Sequence, residues 1–335
     1  MSLMEKPADE APSRTRQRPY VVGRGPQSPM LPPGRFQIGE LLGRGMHTEV
    51  YSAHDRSLRR SVAVKVFPVN PDPVACRRIA DEARALDRLR HRGLVSVFDG
   101  GLHRSRPYLV MQLISGPSLH AYLRTGGMPI PQVVAMGALL ADALAHVHRH
   151  GVVHRDVKPS NILLDQRGMP YLGDFGIALL PEQERLTSVD EIIGTPAYLA
   201  PEQVRGGDLT PAVDIYALGL VLVECITGER EYSDPNKITA AITRLKRPPR
   251  IPIDIPVRMA RLLRAMTADE PSRRPPASVC RTTLEVIGHN LAAMDPSGLT
   301  RPLRASDLIN GAATAAAAAA VEPEPERKGR HRQAD

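Results

Sequence analysis

The run His154-Arg155-Asp156-Val157-Lys158-Pro159-Ser160-Asn161 constrains this chain more than any other stretch of it. Asp156 can accept a proton from a hydroxyl nucleophile, and Lys158 can neutralise a phosphate. Asn161, further along the same loop, can hold a metal ion. A base, a cation and a metal ligand in one short loop are what phosphoryl transfer needs. Asp174-Phe175-Gly176 follows and supplies a second metal-binding acid.

Three further segments stand in order around this pair: Gly43-Arg44-Gly45-Met46-His47-Thr48-Glu49-Val50, then Val62-Ala63-Val64-Lys65, and finally Ala200-Pro201-Glu202. Order and spacing together resemble the signature set of the protein kinases over roughly residues 35–294. The loop's HRDxKPxN form is that of the serine/threonine type. With Thr48 at the third glycine position, the chain looks like a bacterial eukaryotic-like, Hanks-type serine/threonine kinase.

The resemblance implies an α+β, bilobal fold, with a small β-rich N-lobe (35–113) and a larger, mostly helical C-lobe (114–294). Residues 1–34 are rich in Pro, Arg, Gly and Ser, and 295–335 hold an Ala tract and a Glu-Pro repeat; both are expected to be disordered tails. Strands are expected around Phe36–Gly43, Val50–His54, Val62–Phe67, Leu94–Leu102 and Tyr108–Leu113, with Gly43 and Gly45 in a hairpin turn. Helices are expected around Val74–Arg90, Gln132–His150, after Asp214 over Ile215–Val223, and over Val257–Met266 and Ala277–Met294. In the second of these, Val133, Met136, Leu140, Leu144 and Val147 form a helical stripe.

The resemblance also assigns roles. Asp156 is the expected catalytic base, and Lys158 stabilises charge on the moving phosphoryl group. Asn161 and Asp174 are hard oxygen ligands suited to Mg²⁺. Backbone at Gly43 and Gly45 covers the phosphates of ATP, and Lys65 holds them while pairing with Glu82, with Asp81 as the competitor for that pairing. Leu42, Val50 and Ala63 roof the adenine, Leu163 floors it, and Met111 is the gatekeeper. The backbone of Gln112 and Ile114 reads the adenine edge. Glu202 is expected to pair with Arg274, and Asp214 to anchor the catalytic loop. Thr187 and Ser188 are candidate autophosphorylation sites with Arg155 as partner, although Leu179 stands where relatives often carry a second cation.

Composition narrows the function classes. Trp is absent and aromatics make up 4%, which disfavours a base-stacking nucleic-acid platform despite the net charge of +8. Part of that charge sits in the tails, at Arg14, Arg16, Arg18 and Arg24 and at Arg327, Lys328, Arg330 and Arg332. Cys76, Cys225 and Cys280 are few and scattered, as reduced thiols are. No stretch reads as a membrane span and no signal peptide is evident, so a cytoplasmic protein is expected. His146, His148, His150 and His154 invite a metal-site reading, but the run holds no Cys, Asp or Glu, and packing or surface histidines are expected.

These readings converge on ATP-dependent phosphorylation of Ser or Thr in protein substrates, with self-association for autophosphorylation. The alternatives are a pseudokinase or ATP-sensing scaffold, and a small-molecule phosphotransferase. The first is disfavoured because Lys65, Glu82, Asp156, Asn161 and Asp174 are all present. The second is disfavoured by the Lys-Pro in the loop and by the Ala200-Pro201-Glu202 segment.

Overall fold

Five strands precede the helices in the described chain. The computed structural model describes residues 31–32, 34–45, 48–68, 89–174, 196–233 and 237–294. Five antiparallel strands, β1 (Phe36–Arg44), β2 (Glu49–Asp55), β3 (Arg60–Val66), β4 (Val97–His103) and β5 (Arg106–Gln112), form one sheet in the order β1-β2-β3-β5-β4. Val62, Val64 and Val66 of the central β3 pack with Ala53, Tyr108 and Val110 in the core of this lobe. Ala63 and Lys65 therefore project from the opposite face. The register pairs them with Met111 and Leu109 on one side, and with Ser52 and Val50 on the other. Val50, Ala63, Lys65 and Met111 thus share the face turned away from the lobe's core.

The expected boundaries need three corrections. Leu31, assigned to the tail, is 5% exposed and packs into the small-lobe core. Leu94 is not in β4; it makes an isolated parallel bridge to Leu172. Gly43 lies within β1, opposite Val50, and the tight turn begins at Gly45, whose N–H donates to the Thr48 carbonyl at 2.7 Å. Most of the helix expected over Val74–Arg90, with Asp81, Glu82 and Cys76, lies outside the described residues; Leu89 and Arg90 are not helical.

The large lobe is helical, with one short sheet that the sequence reading did not anticipate. Its helices are α1 (Leu119–Leu123), α2 (Ile130–Arg149), α3 (Pro201–Val204), α4 (Ala212–Thr227), α5 (Lys237–Lys246), α6 (Val257–Met266) and α7 (Ala277–Met294). β6 (Ile162–Leu164) and β7 (Pro170–Leu172) pair antiparallel. The stripe Val133, Met136, Leu140, Leu144 and Val147 is buried along α2.

By length and mean hydropathy (20 residues, 1.5) α2 could cross a membrane. That corrects the expectation that no stretch qualifies, yet the apolar side chains of α2 pack into the same core as those of α4 and α7.

Every residue of α4 from Val213 to Cys225 is buried, as a helix apolar on all sides must be. Each large apolar side chain so buried contributes about 1.5–3 kcal/mol. Gly219 lets α6 approach this helix closely, since a Cβ there would stand 2.7 Å from Cγ2 of Thr267. A second glycine sets the joint between the lobes. A Cβ at Gly116 would lie 2.0 Å from the Leu164 carbonyl oxygen, so the segment between β5 and α1 lies directly on β6. Cys225 and Cys280 are buried free thiols, and burial pushes both pKa values up, that of Cys280 to about 12.

Candidate active site

The loop after α2 is positioned by a carboxylate from beneath. Asp214, 1% exposed at the start of α4, accepts the backbone N–H of His154 at 2.8 Å and of Arg155 at 2.7 Å. His148 contacts the same carboxylate through Nε2 at 2.8 Å. The two backbone bonds hold Arg155 at φ +67°, a left-handed conformation that costs a non-glycine residue about 1–3 kcal/mol. The anchor role expected of Asp214 is therefore visible. His148 is a participant that sequence reading assigned to packing; a polar side chain within the apolar face of α2 was the available signal.

His154 is fully buried. Burial lowers its pKa, outweighing the pull of Asp214 and Asp156, so the imidazole is neutral. Its partners then set the tautomer. Nε2–H donates to the Gly173 carbonyl at 3.1 Å, and Nδ1 accepts the Asp156 N–H at 3.3 Å. One ring thereby ties the loop's aspartate to the residue preceding Asp174. The Gly173 N–H donates to the Asn161 carbonyl at 2.8 Å, a second tie between the same two segments.

Side chains converge on Asp156. Its Oδ2 accepts Lys158 Nζ at 2.7 Å and Asn161 Nδ2 at 2.8 Å, and Nδ2 also donates to the Asp156 carbonyl at 2.8 Å. The Asp156 side chain keeps 41% of its surface exposed, so an incoming group can reach it. With its nitrogen committed, Asn161 has an amide oxygen that accepts only a long 3.5 Å bond from the Ser160 hydroxyl and can still take a ligand. Asp174, also 41% exposed and at φ +49°, accepts Lys65 Nζ at 2.9 Å. This ion pair joins the central strand of the small lobe to the large lobe. An amide oxygen and a carboxylate on adjoining segments fit the preference of Mg²⁺ for hard oxygen donors. Among the described residues no group of three or more His, Cys, Asp or Glu could hold a metal by itself. His146 and His150 do share a helix face, with ring centroids 4.5 Å apart.

The expected nucleotide pocket is only partly assembled by these residues. Val50, Ala63, Lys65 and Met111 lie on one sheet face. Leu163 is on β6, half-buried, and its strand is bridged to Ser118. Leu42 is 49% exposed. The N–H of Gln112 is committed to the Ser96 carbonyl at 2.8 Å, so that amide is not the group that could read an adenine edge. Ile114 follows in the irregular segment after β5. Glu82, Phe175, Gly176, Leu179, Thr187, Ser188 and Thr195 lie outside the described residues.

Below the site, the guanidinium of Arg274 grips Glu202 with both terminal nitrogens, at 2.6 and 2.7 Å. It also donates to the carbonyls of Ala212, Ala268 and Asp269, and it lies over the ring of Tyr216. The expected Glu202–Arg274 pair is present. A second anchor was not foreseen: Tyr198 donates its hydroxyl to Glu224 of α4, and Arg230 donates to the Tyr198 oxygen at 3.3 Å.

Comparison with known proteins agrees with this geometry. The protein kinase domain family matches residues 36–284. The serine/threonine-protein kinase PknA of Mycobacterium tuberculosis is 36% identical over 250 residues, covering 72% of this chain and 58% of PknA. PkaA of Streptomyces coelicolor, a serine/threonine-protein kinase, is 36% identical over 315 residues, 86% of this chain and 58% of PkaA. PknL of Mycobacterium bovis, of the same description, is 36% identical over 277 residues, 80% and 69% of the respective chains. The chain thus spans less than two thirds of the length of PknA and PkaA.

Proposed function

The chain belongs to the protein kinase family, in its bacterial Hanks-type serine/threonine branch, and from that premise we propose that it transfers the γ-phosphoryl group of ATP to Ser or Thr hydroxyls of proteins. The observation that carries the proposal is the convergence of Lys158 and Asn161 on one exposed oxygen of Asp156, on a loop fixed from below by Asp214. A carboxylate so held is aimed without being buried.

In this reading Asp156 orients the acceptor hydroxyl and takes its proton, while Lys158 balances the charge that develops beside it. Lys65 leaves the sheet face to grip the phosphates of ATP, and Val50, Ala63 and Met111 offer the base an apolar slot with Leu163 opposite. Asn161 and Asp174 would hold Mg²⁺, whose charge would offset that of the phosphates. The catalytic unit comprises residues 35–294, with Leu31 packed into its small lobe. Protein substrates, autophosphorylation on Thr187 or Ser188 through self-association, and a cytoplasmic location complete the reading. A pseudokinase is not favoured, because the polar set on the described residues is whole.

The test is transfer from γ-labelled ATP to a protein acceptor by the wild type and by Asp156→Asn, with nucleotide affinity measured in parallel. Loss of transfer with retained ATP binding is expected. Undiminished transfer by Asp156→Asn would remove Asp156 from its role.

A further inference from the structure

The outer face of α6 differs from the rest of the helical surface. Met259, Ala260, Leu262, Leu263 and Met266 are buried. With 3.6 residues per turn, Val257, Arg258, Arg261 and Arg264 fall together on one outward arc of roughly 120°. All four are exposed, Val257 by 67%, and Ile253 just ahead of the helix by 88%.

Arg258, Arg261 and Arg264 have no ion pair or side-chain hydrogen bond among the described residues; Arg59, Arg104, Arg124 and Arg273 lack one too, but singly, whereas several other exposed cations are paired. Arg44 has Glu49, Arg92 has Asp142, and Arg205 has Asp269. Arg250, exposed before Ile253, is likewise unpaired among the described residues. The holding of Asp269 by Arg205 at 2.9 Å removes one carboxylate from the neighbourhood of α6. Asp254 stands exposed among the cations as the one opposing charge between Arg250 and Arg264.

A row of unpaired cations beside two protruding aliphatic side chains narrows the partner. A nucleic acid would use the arginines and leave Ile253 in water, and an acidic protein would have to bring an apolar pocket matched to Ile253 and Val257. An anionic bilayer uses both, since headgroups take the cations and the acyl boundary takes the aliphatic tips. We propose that the outer face of α6, with Ile253 ahead of it, docks this protein on an anionic lipid surface. Arg258, Arg261 and Arg264 meet phospholipid headgroups, and Ile253 and Val257 enter the acyl boundary. The proposal does not depend on the catalytic reading.

The test uses the full chain with vesicles of phosphatidylglycerol and phosphatidylcholine in equal parts, against phosphatidylcholine alone. Each cation near such a surface is worth roughly a fivefold gain in partitioning, so the three together give roughly 100-fold. Co-sedimentation is expected with the anionic vesicles only, weakening with salt. The variant R258E/R261E/R264E is expected to lose at least that factor. Should it fail to fold, the Gln triple at the same positions carries the test with the same expected loss. The chain contains no Trp, so Ile253→Trp provides a single reporter. Its emission is expected to shift to the blue with anionic vesicles and to stay put with neutral ones. Wild-type binding by the charge variants would assign any lipid affinity to the basic tails and overturn the proposal. So would unshifted emission from the Ile253→Trp variant with anionic vesicles, or tighter binding to DNA that Ile253→Ser leaves unchanged.

Discussion

Asp214→Asn isolates the contribution of the anchor to the site. In the wild type one oxygen serves the Arg155 N–H, and the other serves both the His154 N–H and His148. Asparagine keeps one oxygen and turns a donor toward the other set. If the amide nitrogen faces Arg155, that N–H is orphaned and the strained φ of +67° loses its restraint. If it faces the other way, His148 can change tautomer and accept, but the His154 N–H is orphaned. Either arrangement leaves one buried donor unpaired, at about 1–3 kcal/mol, and weakens the surviving bond by removing its charge, at about 1 kcal/mol.

A loss of about 2–4 kcal/mol is therefore expected in chemical denaturation. Asp156 is the residue directly after Arg155, and misplacement by about 1 Å lowers transfer by roughly 100-fold. Steady-state transfer per folded molecule, with ATP affinity measured separately, reads the second effect apart from the first. A variant destabilised as expected but with undiminished transfer would refute the argument that Asp214 sets the geometry of Asp156.

The Glu202–Arg274 pair should respond asymmetrically. Arg274→Leu strands a buried carboxylate and three carbonyls and should cost more than the roughly 3–5 kcal/mol usual for a broken buried pair; Glu202→Gln should cost less, because Arg274 keeps its three carbonyl partners. Equal losses in denaturation would contradict this. His154 is held neutral, with its pKa below the ordinary 6.5, so the unfolded chain binds a proton that the fold refuses. Stability should be intact above pH 6.5 and fall as pH drops from there toward the lowered folded value, by about 1.4 kcal/mol per pH unit for that proton. Melting temperatures that do not change over that window would refute it. Gly116→Ala must push the inter-lobe segment off the Leu164 carbonyl, next to Leu163; a several-fold rise in KM for ATP is expected, and an unchanged KM would separate this joint from the nucleotide slot.

How far the fold was legible in the sequence depended on the range of each interaction. The α2 stripe, the all-apolar α4, α6 and α7 were readable because period and length are local properties. The limits of α6 and α7 were met to the residue. β6 and β7 escaped notice because three-residue strands are too short for a periodic signal. Leu31 escaped because its burial depends on a pocket made by β2, β3 and β5, not on its Pro-rich neighbours. In the site, Asp156, Lys158, Asn161, Asp174 and Lys65 were legible through spacing within and between segments. The partners of His148 and His154 were not, since their meaning lies in contacts with Asp214 and Gly173 across long stretches of chain. Tyr198 with Glu224 belongs to the same class.

The contact at Gly219 bears on how the large lobe carries load. No side chain separates α4 from the Met266–Thr267 end of α6; a methyl group there would already overlap. Protein interiors are close-packed and nearly incompressible, so two elements meeting backbone to side chain without an intervening layer transmit displacement instead of absorbing it. A push on the back of α6 is therefore a push on α4. The first turn of α4 ends in the carboxylate that carries His154 and Arg155. The rear wall of the lobe and the floor of the cleft behave as opposite ends of one stiff strut, and the thinnest point of that strut is a hydrogen atom on Gly219.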